Sequence, residues 1–167
     1  VPVKTSFGRH VASPIVVGDT VIVGSHQAGL IGIAISRDGA GCKAETAYTE
    51  KRLAINFSSP VVVDGHLYGH GPAAMLFCAD PHTGKEIWSQ DVLVGGSNSH
   101  AAFLVLGKNI LALTEAGELL LFAADPREFR LVSRLKIAGE NWCNPAYVDG
   151  RLFLRDKQEL RCVELLR

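Results

Sequence analysis

The sequence predicts an all-β protein built from repeated four-stranded antiparallel sheets. Three observations predict it. Four stretches align with one another: "ASPIVVGDTVIVGS" from Ala12, "SSPVVVDGHLYGHG" from Ser58, "AAFLVLGKNILALT" from Ala101 and "CNPAYVDGRLFLRD" from Cys143. Their anchors, Pro14, Pro60, Phe103 and Pro145, fall about 46, 43 and 42 residues apart, inside the four-strand blade period of a β-propeller. No segment carries a sustained 3.6-residue apolar period with helix caps.

Each element follows from local chemistry. After the anchor come three or four β-branched or apolar residues, which favour a pleated, half-buried strand. A two-residue turn follows: Gly18-Asp19, Asp64-Gly65, Gly107-Lys108 and Asp149-Gly150. Gly and Asp tolerate the positive φ that tight hairpins demand. Second strands are expected at "TVIVG", "HLYGH", "NILAL" and "RLFLR". Third strands are expected at "GLIGIAI", "MLFCAD", "ELLLFAAD" and "ELRCVEL". Fourth strands show best in "KEIWSQDV" and "FRLVSRLKI". The last unit stops after its third strand. The blade units lie near 10–54, 55–98, 99–140 and 141–167, about 3.5–4 blades of a partial ring, with 1–9 as a possible closing strand.

In "CADPHTGKEIW", residues 78–88, Asp80 and Thr83 are expected to hold turn amides and Gly84 to close the turn in the left-handed region. Trp88 offers a large apolar face for packing between neighbouring sheets. The third unit has "AADPREF" at the same place without the Thr-Gly, so its turn is built differently.

Bulk composition excludes several classes. The 167 residues are 47% apolar with 17 glycines, which suits a turn-rich globular chain. The 17 basic and 17 acidic residues cancel, giving no reason to expect nucleic acid as a partner. No apolar run reaches the roughly 18–20 residues of a transmembrane segment. Cys42, Cys78, Cys143 and Cys162 contain no CxxC pair, against thiolate metal sites. Cys78 and Cys162 sit in apolar strand patterns, where a thiol is expected to act as a small buried hydrophobe.

The residues Ala79, Asp80, Thr83, Gly84 and Trp88, following "SSPVVVDGHLYG", resemble the repeat signature of the pyrroloquinoline-quinone-like (PQQ-like) β-propeller family. The last unit is similar to a C-terminal blade. The resemblance implies blades of a seven- or eight-bladed ring and an exported, periplasmic or secreted bacterial protein. It also implies one of two roles, because the family holds quinone-dependent alcohol and sugar dehydrogenases and non-catalytic outer-membrane assembly scaffolds.

Propeller geometry places the interblade connectors and the second-to-third strand loops on one face, the mouth. His10, His26, His70, His100, Asn98, Asn141 and Trp142 fall there, and His66 and His82 in turns opposite. Trp142, Asn141, Asn98 and His100 are the candidates for contacting a planar cofactor, since an indole face stacks well. His26, His70 and His100 are the candidates for a metal, but these three come one from each unit, which leaves the expectation at no metal. Glu115 and Glu140 are the acids mapped to the mouth, while Asp19, Asp64, Asp80, Asp125 and Asp149 lie in turns. No carboxylate pair for acid–base work, no phosphate-binding loop and no nucleophile elbow is present, so no catalytic residue is assigned. The expected function is a non-catalytic binding or assembly scaffold, with a protein partner or a second copy completing the ring. The alternative is a C-terminal fragment of a PQQ-dependent alcohol or sugar dehydrogenase, which would hold PQQ with a divalent metal.

Overall fold

The computed structural model describes residues 1–6, 8, 10–92 and 100–165. Its regular structure is almost entirely strand. Blade 1 comprises β1 (Ile15–Val17), β2 (Thr20–Ser25), β3 (Gly29–Asp38) and β4 (Gly41–Glu50). Blade 2 comprises β5 (Val61–Val63), β6 (His66–His70), β7 (Met75–Ala79) and β8 (Glu86–Asp91). Blade 3 comprises β9 (Ala101–Leu106), β10 (Asn109–Thr114), β11 (Glu118–Ala123) and β12 (Leu131–Lys136). Blade 4 comprises β13 (Ala146–Val148), β14 (Arg151–Arg155) and β15 (Leu160–Glu164). Each sheet runs antiparallel in chain order, four-stranded in blades 1 to 3 and three-stranded in blade 4.

The expected turns are present. Asp64 and Gly65, and Asp149 and Gly150, all take positive φ, as type I′ hairpins require. At Gly18-Asp19 and Gly107-Lys108 only the glycine does so, the pattern of a II′ turn. A register shift interrupts the third-to-fourth strand pairing of every four-stranded blade, at Gly32/Ile33, Cys78/Ala79 and Leu121/Phe122. Such bulges bend and twist the outer strand.

The core lies between sheets. One cluster joins Ile22 and Leu30 of blade 1 to Leu67, Phe77 and Ala79 of blade 2, with Leu53 and Ile55 of the connector. A second joins Tyr68, Leu76 and Cys78 to Ala101, Ile110, Leu120 and Phe122 of blade 3. A third joins Leu111, Leu113 and Leu119 to Leu152 and Leu154 of blade 4. Successive β7 residues thus point to opposite neighbours, the period of two expected of a strand. Each fully buried large side chain stabilises the stack by about 1.5–3 kcal/mol. Among the described residues these clusters join consecutive blades, and none joins blade 4 to blade 1. The structure is a partial propeller.

The "CADPHTGKEIW" turn works as a clamp between blades. The Asp80 carboxylate accepts from the His82 and Thr83 amides at 2.7 and 3.2 Å. Gly84 has φ +70°, and a Cβ there would lie 2.4 Å from the Tyr48 ring. Tyr48, on β4 of the preceding blade, donates its hydroxyl to the Pro81 carbonyl at 2.9 Å. Burial, with Asp80 nearby, pushes the Tyr48 hydroxyl up to about 12. Trp88 packs against the second cluster and donates its indole N–H to the Asp125 carbonyl of blade 3 at 3.0 Å. In the third unit the missing Thr-Gly is replaced by Arg127, whose amide and guanidinium both bind the Asp125 carboxylate.

One expectation fails. Cys162 is exposed. It lies opposite Phe153 on the face of blade 4 that points away from blade 3, so no neighbouring sheet covers it. Cys78 is buried as expected, between blades 2 and 3.

Candidate functional site

Residues that precede β5, β9 and β13 meet at one end of the sheets. Counting back three residues from Pro60, Phe103 and Pro145 gives Phe57, His100 and Trp142. These equivalent positions touch. The Trp142 ring lies 5.6 Å from the His100 ring, nearly parallel at 11°, and 4.7 Å from Phe57 at 57°. Trp142 remains 48% exposed, so part of its surface faces solvent.

Backbone and serine hydrogen bonds fix the connectors. Ser58 Oγ accepts from the Ala101 amide and Ser59 Oγ from the Ser13 amide, both at 2.9 Å. These contacts tie neighbouring inner strands together. The β10–β11 loop bridges two connectors: the Glu115 amide donates to the His100 carbonyl at 2.7 Å, and the Asn141 amide to the Glu115 carbonyl at 2.9 Å. Loops of the two kinds expected at the mouth therefore share one face here.

Asn141 is buried, and its side-chain amide donates to the Thr114 and Gly139 carbonyls at 3.2 Å each. Its oxygen accepts from the Cys143 thiol. It positions the connector and has little capacity left for a ligand. His70 and His100 are buried, and His100 disfavours a charge on His70. Burial lowers His70 to about 4, helped by His100. Burial also lowers His100, with Glu115 opposing. Both rings are thus neutral near pH 7. His100 Nδ1 is buried without a hydrogen-bond partner among the described residues.

The other predicted residues fall less centrally. His10 is exposed and His26 half-buried. Among the described residues no group of three or more His, Cys, Asp or Glu is arranged to hold a metal ion. Asn98 lies outside the described residues.

Sequence reasoning missed two features. Phe57 was visible only by aligning positions three before each anchor. A cleft of about 470 Å³, lined by Asn141, Trp142, Cys143, Arg155, Asp156 and Lys157, has no sequence signal, because it joins a connector to the β14–β15 loop. Asp156 spends its carboxylate on the Gly139, Gln158 and Glu159 amides, which hold it below the usual carboxylate range. Lys157 pairs with Glu140 at 2.7 Å.

The family model described as "Outer membrane protein assembly factor BamB" matches residues 3–90, more than half of the chain. The chain belongs to this PQQ-type propeller-repeat family. Solved structures agree on the fold. BamB from Moraxella catarrhalis superposes with a TM-score of 0.66 at 15% identity, over 93% of this chain and 44% of that one. Apo AztD from Citrobacter koseri gives 0.58 at 14% identity, over 93% and 43%. A europium-containing methanol dehydrogenase gives 0.53 at 20% identity, over 78% and 25%. At these identities the likeness is one of fold. This BamB-family chain spans less than half the length of each. No curated protein matches it.

Proposed function

We propose that this chain is a propeller segment serving as a non-catalytic binding and assembly scaffold of an exported bacterial protein, periplasmic or secreted. Its mouth loops make the contacts, and its end blades pack on further blades, from a second copy or from a longer chain. The observation that carries this reading is the outward face of blade 1. Strand pairing puts Val16, Val21, Val23, Ile31, Ile33 and Ile35 on the side away from blade 2. Of these, Val16 is exposed, Val21, Val23, Ile33 and Ile35 are partly exposed and Ile31 is buried; six β-branched residues on one face match the composition of an interblade surface, and exposed apolar patches mark association sites. The mouth supports the same reading, since Asn141, Ser58 and Asp156 are spent on structural hydrogen bonds.

Replacing residues 139–143 and 155–159 with Gly-Ser segments tests the mouth. A partner retained from periplasmic extract by the original chain should be lost. Retention of every partner after replacement would sink the reading.

A quinoprotein dehydrogenase fragment is the second reading, favoured by the exposed indole of Trp142. Trp142 offers a stacking surface for a quinone, but the described residues supply no donor set for an accompanying metal. A quinone absorbance band with dye-linked alcohol or sugar oxidation would favour this reading over the first.

A further inference from the structure

We infer that the cleft between blades 3 and 4, beside Ser133, is a binding site for a small planar aromatic molecule with one hydrogen-bond donor, of the indole or phenol class. The inference stands apart from the scaffold reading. The cleft is lined by Leu106 at the end of β9 and Glu164 at the end of β15, away from the connectors.

The repeat itself says what fits there. The register shifts mark one equivalent place in blades 1, 2 and 3, and the fourth-strand residues paired beside them are Tyr48, Trp88 and Ser133. Their third-strand partners are Gly32, Cys78 and Leu121, each on the face turned to the next blade. In blade 1 the Tyr48 ring reaches blade 2. A Cβ on Gly84 would lie 2.4 Å from that ring, and the hydroxyl donates to the Pro81 carbonyl at 2.9 Å. In blade 2 the Trp88 ring reaches blade 3. It lies 5.8 Å from the Phe129 ring, and its N–H donates to the Asp125 carbonyl at 3.0 Å. Both gaps are filled by a flat ring that carries one donor.

In blade 3 a hydroxymethyl group stands in the place of the ring. Leu121, larger than Gly32 or Cys78, fills part of the space, and a cleft of about 430 Å³ stays open toward blade 4. That is within the roughly 300–1,000 Å³ of ligand sites. Seven of the ten described residues that line it are Leu or Val, so the occupant is apolar over most of its surface. The Ser133 hydroxyl and the Glu164 carboxylate, also in the lining, are acceptors for the donor. Apolar space left by a missing side chain takes up a small aromatic molecule of matching size. Both side walls already belong to this chain, so no strand of a partner is needed to complete the site.

The test adds indole to the whole chain and follows the heat of binding and the thermal midpoint. Indole should bind saturably and raise the midpoint. It should bind at least about fivefold more tightly than 1-methylindole, which lacks the donor, and than cyclohexanol, which lacks the flat ring. Ser133→Trp should abolish indole binding by placing the blade 2 ring in the cleft. Where that variant does not fold, Ser133→Trp combined with Leu121→Cys reproduces the Trp88–Cys78 pair of blade 2 and should fold with the cleft closed.

No saturable binding, equal affinity for indole and either comparison molecule, or indole binding unchanged in a folded Ser133→Trp variant would each overturn the inference. N-acetyltryptophanamide binding more tightly than indole would assign the cleft to a partner's side chain and overturn it too. The scaffold reading survives any of these results, because its own test lies at residues 139–143 and 155–159.

Discussion

Blades 2 and 4 begin from the same repeat but end in different environments. Blade 2 is covered on both faces. Its third strand reads Met-Leu-Phe-Cys-Ala, with Phe77 and Ala79 turned to blade 1 and Leu76 and Cys78 to blade 3. Blade 4 is covered on one. Its central strand reads Arg-Leu-Phe-Leu-Arg, with Leu152 and Leu154 turned to blade 3 and Arg151, Phe153 and Arg155 turned away. A continuous apolar strand is the signature of two neighbours, and alternation the signature of one. By that criterion blade 1 belongs with blade 2. Its third strand, "GLIGIAI", is apolar on both faces; on the face turned away from blade 2, Ile31 is buried and Ile33 and Ile35 are partly exposed. The proposal that blade 1 takes a further neighbour rests on this composition.

Substitutions should separate covered from uncovered faces. Phe77→Ala should cost about 3–5 kcal/mol in a denaturant titration, because Phe77 is fully buried between blades 1 and 2. Phe153→Ala should cost well under half as much. Similar costs at the two sites would mean that blade 4 is covered after all.

Acid should act next, at the mouth between blades. His70 is lowered from 6.5 to about 4 in the folded protein, so the unfolded chain takes up its proton first. Stability should be full above pH 6.5, fall as the pH drops toward 4, and then level. The loss is on the order of 3 kcal/mol from this group, with His100 acting in the same direction. His70→Leu should flatten that limb of the stability profile. An unchanged slope would mean that His70 is solvated.

Gly84→Ala should destabilise by about 2 kcal/mol through the positive φ and the Tyr48 contact. Asp80→Ala should cost about 1 kcal/mol through the lost turn hydrogen bonds. If Tyr48→Leu leaves the Gly84→Ala penalty unchanged in a double-mutant cycle, the clamp between blades 1 and 2 is not coupled in the way the geometry indicates.

The sequence carried the blades well, because turn chemistry and strand alternation are local. Asp64-Gly65, Asp149-Gly150 and the Asp80–Gly84 turn announce themselves within a few residues. It carried burial poorly wherever burial depends on the next sheet. Cys78 and Cys162 occupy equivalent third-strand patterns, yet only Cys78 has a neighbouring blade. It carried the mouth unevenly. The repeat spacing puts His100 and Trp142 at equivalent positions, but their contact with each other and with Phe57 joins stretches more than 40 residues apart. The Arg155 cleft joins two loops of unrelated sequence and left no local mark.

The central claim is that the face of blade 1 turned away from blade 2 is an interface. Light scattering behind a sizing column tests it most directly, on the original chain and on Val23→Lys. The chain alone has a mass of 17.9 kDa. The account predicts an assembly of about twice that mass, two half-rings closing on each other, returned to the monomer by Val23→Lys without loss of folded structure. A well-behaved 17.9 kDa monomer that Val23→Lys leaves unchanged would contradict it.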